Sequence, residues 1–260
     1  MTILDKIVEN KKKELKHLME FTSVSDLEKS LTFNRRTISL SAKLASDSGT
    51  GIIAEFKRKS PSKGILNSLS SVEEVVTGYI SEGASGLSVL TDSRFFGGSA
   101  NDLLCARKIS GIPILRKDFI IDEYQIVESK SIGADTILLI AAILEEKTIL
   151  NFSRLARSLG LEVILEIHEQ DELDKVNNYI NIIGVNNRNL KTFEVNTDAS
   201  ERLSEKIPNG FLKISESGIS SPLVIEKLRK AGFNGFLMGE KFMKTSDPVK
   251  AFSRFVKSLV

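Results

Sequence analysis

A (β/α)8 barrel with an N-terminal helical extension is the fold this sequence predicts. Three observations carry it. Short apolar runs recur eight times, at 51–57, 86–91, 112–117, 135–140, 161–167, 182–186, 211–216 and 235–239. Several, such as 135-DTILLI-140 and 161-LEVILEI-167, are nearly continuous in Val, Ile and Leu, as strands buried on both faces are. Amphipathic segments of helical period lie between them, so strand and helix alternate at roughly 20–35 residues, the signature of βαβ units and a parallel sheet.

The elements follow in order. Residues 3–20 read as one helix, with Ile3, Ile7, Leu15 and Leu18 among lysines. Residues 24–46 read as one or two more, with Ser25 a cap for 26-DLEKSL-31. The strand 51-GIIAEFK-57 then opens the barrel. Helical segments follow at 72-VEEVVTGYISEG-83, 121-IDEYQIVESKSIG-133 and 145-EEKTILNFSRLARSLG-160. The segment 221-SPLVIEKLRKAG-232 starts with Ser221 before Pro222 and stops on Gly232. A final helix is expected in 247-DPVKAFSRFVKSLV-260. The competing architecture, a doubly wound open sheet, would usually show a glycine-rich dinucleotide turn after its first strand, and GxGxxG is absent there. No Gly/Pro/Ser-rich linker interrupts the chain, so residues 1–260 read as a single domain, 1–50 the extension and 51–260 the barrel.

Composition narrows the partners. A formal net charge of +2, from 36 basic and 34 acidic residues, argues against nucleic acid or a membrane surface as the main partner. The one cysteine, Cys105, excludes an intramolecular disulfide and a Cys-rich metal site. It is expected to be a buried helical residue rather than a nucleophile. No pair of histidines has metal-ligand spacing, so no metal is expected. The N-terminus lacks an apolar h-region. The longest apolar run, 137-ILLIAAIL-144, is far short of the roughly 20 residues that cross a bilayer. A cytoplasmic protein is the expectation.

The polar residues at strand ends point to chemistry. Reacting groups in such a barrel come from the C-terminal ends of the strands and the loops after them. Here those ends supply Glu55 and Lys57, Lys117, Glu166, Asn186 and Arg188, and Glu216 with Ser217 and Gly218. The last strand ends in Gly239 and Glu240. One such charge could simply mark exit into solvent. Repetition around the barrel argues for one mouth where lysines donate protons and carboxylates accept them. Gly218 and Gly239, after the last two strands, suit a phosphate grip, since glycine lets backbone N–H groups approach the anion.

The segments AEFKRKSPSKG, SVLTD with RFFGGS, ILRKDFI, LEI, IGVNNRNL, ISESGI and FLMGEKFM, in this order, strongly resemble indole-3-glycerol phosphate synthase. The resemblance covers the whole barrel, and the N-terminal helices fit the family's extension. It implies closure of an indole ring from 1-(2-carboxyphenylamino)-1-deoxyribulose 5-phosphate, with loss of carbon dioxide and water and with no cofactor or metal. It implies Lys117 as general acid toward the substrate carbonyl, and Glu166 and Glu55 as acid/base carboxylates of the later steps. Lys57 would pair with the substrate carboxylate and with Glu55. Asn186 and Glu216, with Ser217 beside them, would bind the sugar hydroxyls and orient the lysines. The phosphate would meet Ser60, Arg188, Gly218, Gly239 and the backbone at Glu240. Phe96 and Phe119 would wall the anthranilate ring. Glu240 departs from the family, several of whose members carry Ser there, so its side chain is expected to turn outward.

The implied partner is a small phosphorylated substrate, with the protein a monomer or weak homo-oligomer. Two rivals stand beside this reading. A phosphoribosylanthranilate isomerase-like barrel would want a reactive Cys at the end of the first strand, where this chain has Glu55 and Lys57. A non-catalytic phosphate-binding barrel would not need Glu55, Lys117 and Glu166. Lys11-Lys12-Lys13 reads as a solvated helix face. Arg58, Lys59 and Lys63 read as bases that draw in the phosphate. His17 reads as a surface residue, and His168 as a residue behind the catalytic set, or incidental to it, rather than a catalytic one.

Overall fold

The computed structural model describes residues 2–46, 49–189 and 194–259. Residues 1, 47–48, 190–193 and 260, which fall in the expected extension, the loop after the sixth strand and the expected last helix, lie outside the described residues. Eight parallel strands close into a barrel: β1 (Ile52–Phe56), β2 (Gly86–Leu90), β3 (Ile114–Lys117), β4 (Thr136–Ile140), β5 (Glu162–Ile167), β6 (Ile182–Asn186), β7 (Leu212–Glu216) and β8 (Gly235–Met238). β8 pairs back with β1 through Ile53 opposite Leu237. Each expected strand is present, and the expected helices run at Val72–Ser81, Glu123–Ser131, Glu146–Ser158, Pro222–Lys230 and Pro248–Lys257. The βα pattern weakens after β5, where only a 3-10 segment, Gln170–Lys175, follows.

Alternation along the strands divides the core in two. Ile52, Ala54 and Phe56 of β1 point outward and pack with the helices. Ile53, Leu115, Leu138, Ile140, Ile164, Ile182, Ile214 and Leu237 fill the interior. Each such side chain contributes about 1.5–3 kcal/mol by burial. Leu40 and Leu44, from a short helix of the extension, join this inner cluster and plug the N-terminal end of the barrel. Glu162 holds that plug by accepting from the backbone N–H groups of Leu40 and Ser41, at 2.8 and 2.9 Å. That plug fills the bottom of the barrel, and the cavity opens at the other end.

The extension departs from expectation in two places. The helix Val24–Glu28 is capped by Ser23, not Ser25: the Ser23 hydroxyl accepts from the Asp26 N–H and the Asp26 carboxylate reciprocates. The long helix α1 (Ile3–Phe21) buries Ile7, Lys11 and Leu15, which are spaced four apart on one face. Lys11 is therefore not part of a solvated run. Its ammonium lies 3.0 Å from Asp118, 3.2 Å from Asp92 and 2.9 Å from Glu14. Lys12 and Lys13 remain exposed. Asp92 also caps the short helix Ser93–Phe96, and Asp118 follows Lys117, so one ammonium ties α1 to the loops after both β2 and β3.

Removing one partner of a buried ion pair leaves uncompensated charge. Lys11→Ala is expected to destabilise the fold by about 3–5 kcal/mol, whereas Lys12→Ala should stay within about 0.5 kcal/mol of wild type. Urea unfolding of both variants makes the comparison.

Candidate active site

The C-terminal ends of the strands converge on a cavity of about 560 Å³. Inward-facing positions bring Glu55 and Lys57 from β1 and its exit, Lys117 from β3, Glu166 from β5, Asn186 from β6 and Glu216 from β7. The strand register sets Asn186 beside Glu216 and Glu166 beside Gly184. Lys57 Nζ lies 2.7 Å from Glu55 Oε1. Lys117 Nζ lies 3.1 Å from Glu166 Oε2 and 3.7 Å from Glu216 Oε2. Asn186 donates from Nδ2 to Glu166 Oε1 at 3.2 Å, and the Ser88 hydroxyl reaches Glu55 at 3.4 Å.

Two glycines make room for these carboxylates. A Cβ at Gly184 would meet Glu216 Oε1 at 2.6 Å, and one at Gly239 would meet Glu55 Oε1 at 2.9 Å. The isolated glycine within 182-IIGVN-186 is thus a space requirement of the neighbouring strand's acid.

Electrostatics separates the acids. Burial opposes ionisation of Glu166, but Lys117 foremost, then His168, outweigh it and hold its pKa below the usual carboxylate range. Burial also dominates at Glu216, and despite Lys117 its pKa is pushed up to about 8, with Glu166 and Glu55 adding to the rise. Burial would neutralise Lys117, yet the surrounding carboxylates, Glu166 first, raise its pKa well above the ordinary lysine value. The mouth therefore holds an ionised Glu166, a firmly cationic Lys117 and, near neutral pH, a largely protonated Glu216. Glu216 Oε1 is buried with no hydrogen-bond partner among the described residues, as is the Ser60 hydroxyl.

The far side of the cavity is lined by Ser60, Arg188, Ser217, Gly218, Gly239 and Glu240. Ser217 takes φ of 67°, the one positive value at a non-glycine residue among those described, and Gly218 follows at 75°. A serine held there stores strain that the surroundings must overcome. Asn187, buried behind the turn, does so by donating to the carbonyls of Glu216 and Ser217, each at 3.0 Å. Phe96 and Phe119 line the mouth with ring centroids 5.9 Å apart.

Every residue singled out from the sequence as a catalytic or binding candidate lines this one cavity. Some expectations change. The Glu240 side chain does not turn outward: it lines the cavity and pairs with Arg188 at 3.3 Å, the guanidinium from the loop after β6 offsetting its charge. Arg58 is not a free base of the entrance. It grips Asp102 at 2.6 and 2.8 Å and lies over the Phe56 ring, while Lys59 donates to the Arg94 carbonyl. Lys63 does line the mouth, beside a small antiparallel ribbon of Lys59–Ser60 and Gly64–Ile65. Cys105 lies on the helix Ala100–Ile109, away from the cavity, and is half-buried rather than buried. His17 is exposed. His168 sits behind Glu166, outside the cavity lining, in keeping with its expected place behind the catalytic set.

Sequence reasoning missed Ile3, Leu4 and Ile7, which line the cavity from α1. It also missed Asn187 as a brace. The twin asparagines at a strand end were the available signal: alternation sends Asn186 inward and its neighbour behind. Among the described residues, no group of three or more His, Cys, Asp or Glu side chains is placed to hold a metal ion.

A closed parallel barrel with buried lysine–carboxylate pairs at the C-terminal ends of its strands is the architecture of a barrel enzyme that works by proton transfer. Comparison makes the family specific. The chain belongs to the indole-3-glycerol phosphate synthase family, whose model matches residues 4–255. It is 47% identical to an indole-3-glycerol phosphate synthase of Bacteroides thetaiotaomicron over 99% of this chain and 98% of that one. It is 37% identical to the Salinibacter ruber enzyme of the same name over 98% and 95% of the two chains. Among solved structures, tryptophan synthase subunit alpha of Legionella pneumophila superposes with a TM-score of 0.62 at 14% identity, over 85% of this chain and 95% of that one. That likeness concerns the fold.

The raised pKa of Glu216 has a stability consequence whose sign is fixed. A carboxyl that holds its proton more tightly when folded stabilises the fold below its unfolded pKa of 4.5, and that contribution is lost as pH rises to about 8. Calorimetry of wild type should therefore show a melting temperature that falls across this window relative to Glu216→Gln, which lacks the titration.

Proposed function

We propose that this mouth carries out the family's reaction on 1-(2-carboxyphenylamino)-1-deoxyribulose 5-phosphate, giving indole-3-glycerol phosphate with release of carbon dioxide and water. The observation that carries the assignment of roles is the Lys117 ammonium, 3.1 Å from Glu166 and 3.7 Å from Glu216.

Attack of the aromatic ring on the sugar carbonyl builds charge on the carbonyl oxygen. Lys117 is the acid that neutralises it. Its tightly held proton is no obstacle, because an alkoxide is more basic than the ammonium that faces it. Decarboxylation then needs no strong base, since the cationic intermediate already draws electrons from the departing carboxylate. Loss of the hydroxyl as water requires an acid, and rearomatisation requires a base. Glu166, ionised and hydrogen-bonded to Asn186, suits the base. Glu55, paired with Lys57 at 2.7 Å, is the second acid/base carboxylate, and Lys57 receives the substrate carboxylate.

Protonated Glu216, with an unpartnered oxygen, suits a sugar hydroxyl, and Asn186 and Ser217 stand beside it. Phe96 and Phe119 take the anthranilate ring. Ser60, Arg188 and the backbone at Gly218, Gly239 and Glu240 take the phosphate, with the substrate displacing the Glu240 carboxylate from Arg188. A cytoplasmic monomer or weak homo-oligomer completes the proposal. Among the described residues no helix is long and apolar enough to cross a membrane.

Two measurements test these roles. Indole fluorescence should appear with wild type, and Lys117→Ala should lower kcat by about 10²–10⁴-fold; near-full turnover in the variant would remove Lys117 from its role. Glu240→Ser takes away a like charge from the phosphate site, so KM should fall by about three- to ten-fold with kcat little changed.

A further inference from the structure

His168 and Glu172 are absent from the cavity lining, yet they lie directly behind its Glu166 carboxylate. The two oxygens of Glu166 have different neighbours. Oε2 faces Lys117 at 3.1 Å. Oε1 accepts from Asn186 at 3.2 Å and faces His168 Nε2 at 3.5 Å. The other ring nitrogen, Nδ1, faces Glu172 Oε2 at 3.7 Å. Neither nitrogen has a hydrogen-bond partner among the described residues, and the side chain is 11% exposed. A neutral imidazole would leave at least one carboxylate facing a nitrogen that carries no proton. The imidazolium presents an N–H to both.

Glu172 is itself fixed. Its Oε2 accepts from the backbone N–H of His168 at 2.5 Å and of Glu169 at 3.3 Å, which folds the 3-10 segment Gln170–Lys175 back over the strand end. The other charged groups around His168 are Glu216 from β7 and, through Glu166, Lys117 from β3. Lys175, on the same segment, is engaged by the carbonyls of Ala141 and Leu144 at 2.7 and 3.1 Å. The turn Ala141–Ile143 that packs there has no titratable side chain. Burial works against a charged ring, but Glu172 and then Glu166 outweigh it and raise its pKa above the usual imidazole value.

We propose that His168, held by Glu172, is a positioning residue for the reaction: its imidazolium braces the Glu166 oxygen that Lys117 does not reach and keeps that carboxylate ionised and aimed into the mouth. The inference rests on the reading of Glu166 as an acid/base carboxylate. Lys117 alone would serve poorly as guardian of that charge, because its proton is the one the first step uses. A second cation behind Glu166 keeps the carboxylate a base through that step.

The chain has two histidines, so His17→Gln leaves one imidazole to follow by NMR in the full-length protein. His168 should titrate at higher pH than the exposed His17 seen in wild type; titration at or below His17 overturns the brace. His168→Gln should move the acidic limb of kcat/KM up by about one pH unit, with KM on the plateau within about two-fold of wild type. His168→Asn should move the limb the same way, and it decides the matter if His168→Gln folds poorly. An unmoved limb, or an equal loss of activity at every pH, overturns the proposal. Glu166→Gln separates the two levels: if it keeps wild-type turnover, the reading of Glu166 falls and the brace with it. If it is inactive while the limb of His168→Gln stays put, the brace alone falls.

Discussion

Three carboxylates, those of Glu55, Glu166 and Glu216, are buried at one end of a barrel whose interior is otherwise aliphatic, and the Lys117 ammonium makes that arrangement tenable. Buried like charges cannot all ionise unless cations stand between them. Lys117 faces two of the three, and Lys57 holds the third. The competition is resolved unequally. Glu166 keeps its charge, and Glu216 surrenders it near neutral pH. One constraint thereby sets an ammonium, a carboxylate and a neutral carboxyl side by side, from three residues of two types.

The scaffold serves this constraint from outside. Arg116, on the outward face of β3, is buried against Glu128 at 2.7 Å and Asp118 at 3.2 Å. Asp118 in turn meets Lys11 of α1. The residue next to Lys117 is thus anchored both by its own strand and by the extension, while Asp92 anchors the loop that carries Phe96. The extension reaches both ends of the barrel, with Leu40 and Leu44 plugging the bottom and Ile3, Leu4 and Ile7 lining the mouth. The role proposed for Lys117 needs such fixation, since a misplacement of about 1 Å can remove most of the benefit of proximity.

Where the phosphate is proposed to bind, the structure carries its own anion. The Glu240 carboxylate against Arg188 occupies ground that the proposed phosphate would take. Ser217 is held in a strained left-handed conformation by Asn187 from behind. Both features set a local cost against the binding energy of an anionic ligand, and both lie where the last strands of such barrels grip phosphate.

The sequence by itself determined the eight strands, their alternation with helices and the place of Glu55, Lys57, Lys117, Glu166, Asn186 and Glu216 at the strand ends, because a period of two and a period of 3.6 are local properties of the chain. It also held clues that local reading passed over: Ile7, Lys11 and Leu15 share one helical face, so Lys11 had to be buried if its neighbours were. What stood against Lys11 was settled only by the tertiary fold, since Asp92 and Asp118 are more than 80 residues away in the chain. The same holds for Arg58 against Asp102, for Glu240 against Arg188 and for the environments that push Glu166 and Glu216 apart. Strand period fixes which way a charge points. Its protonation and its partner depend on distances across the barrel, and those exist only once the barrel has closed.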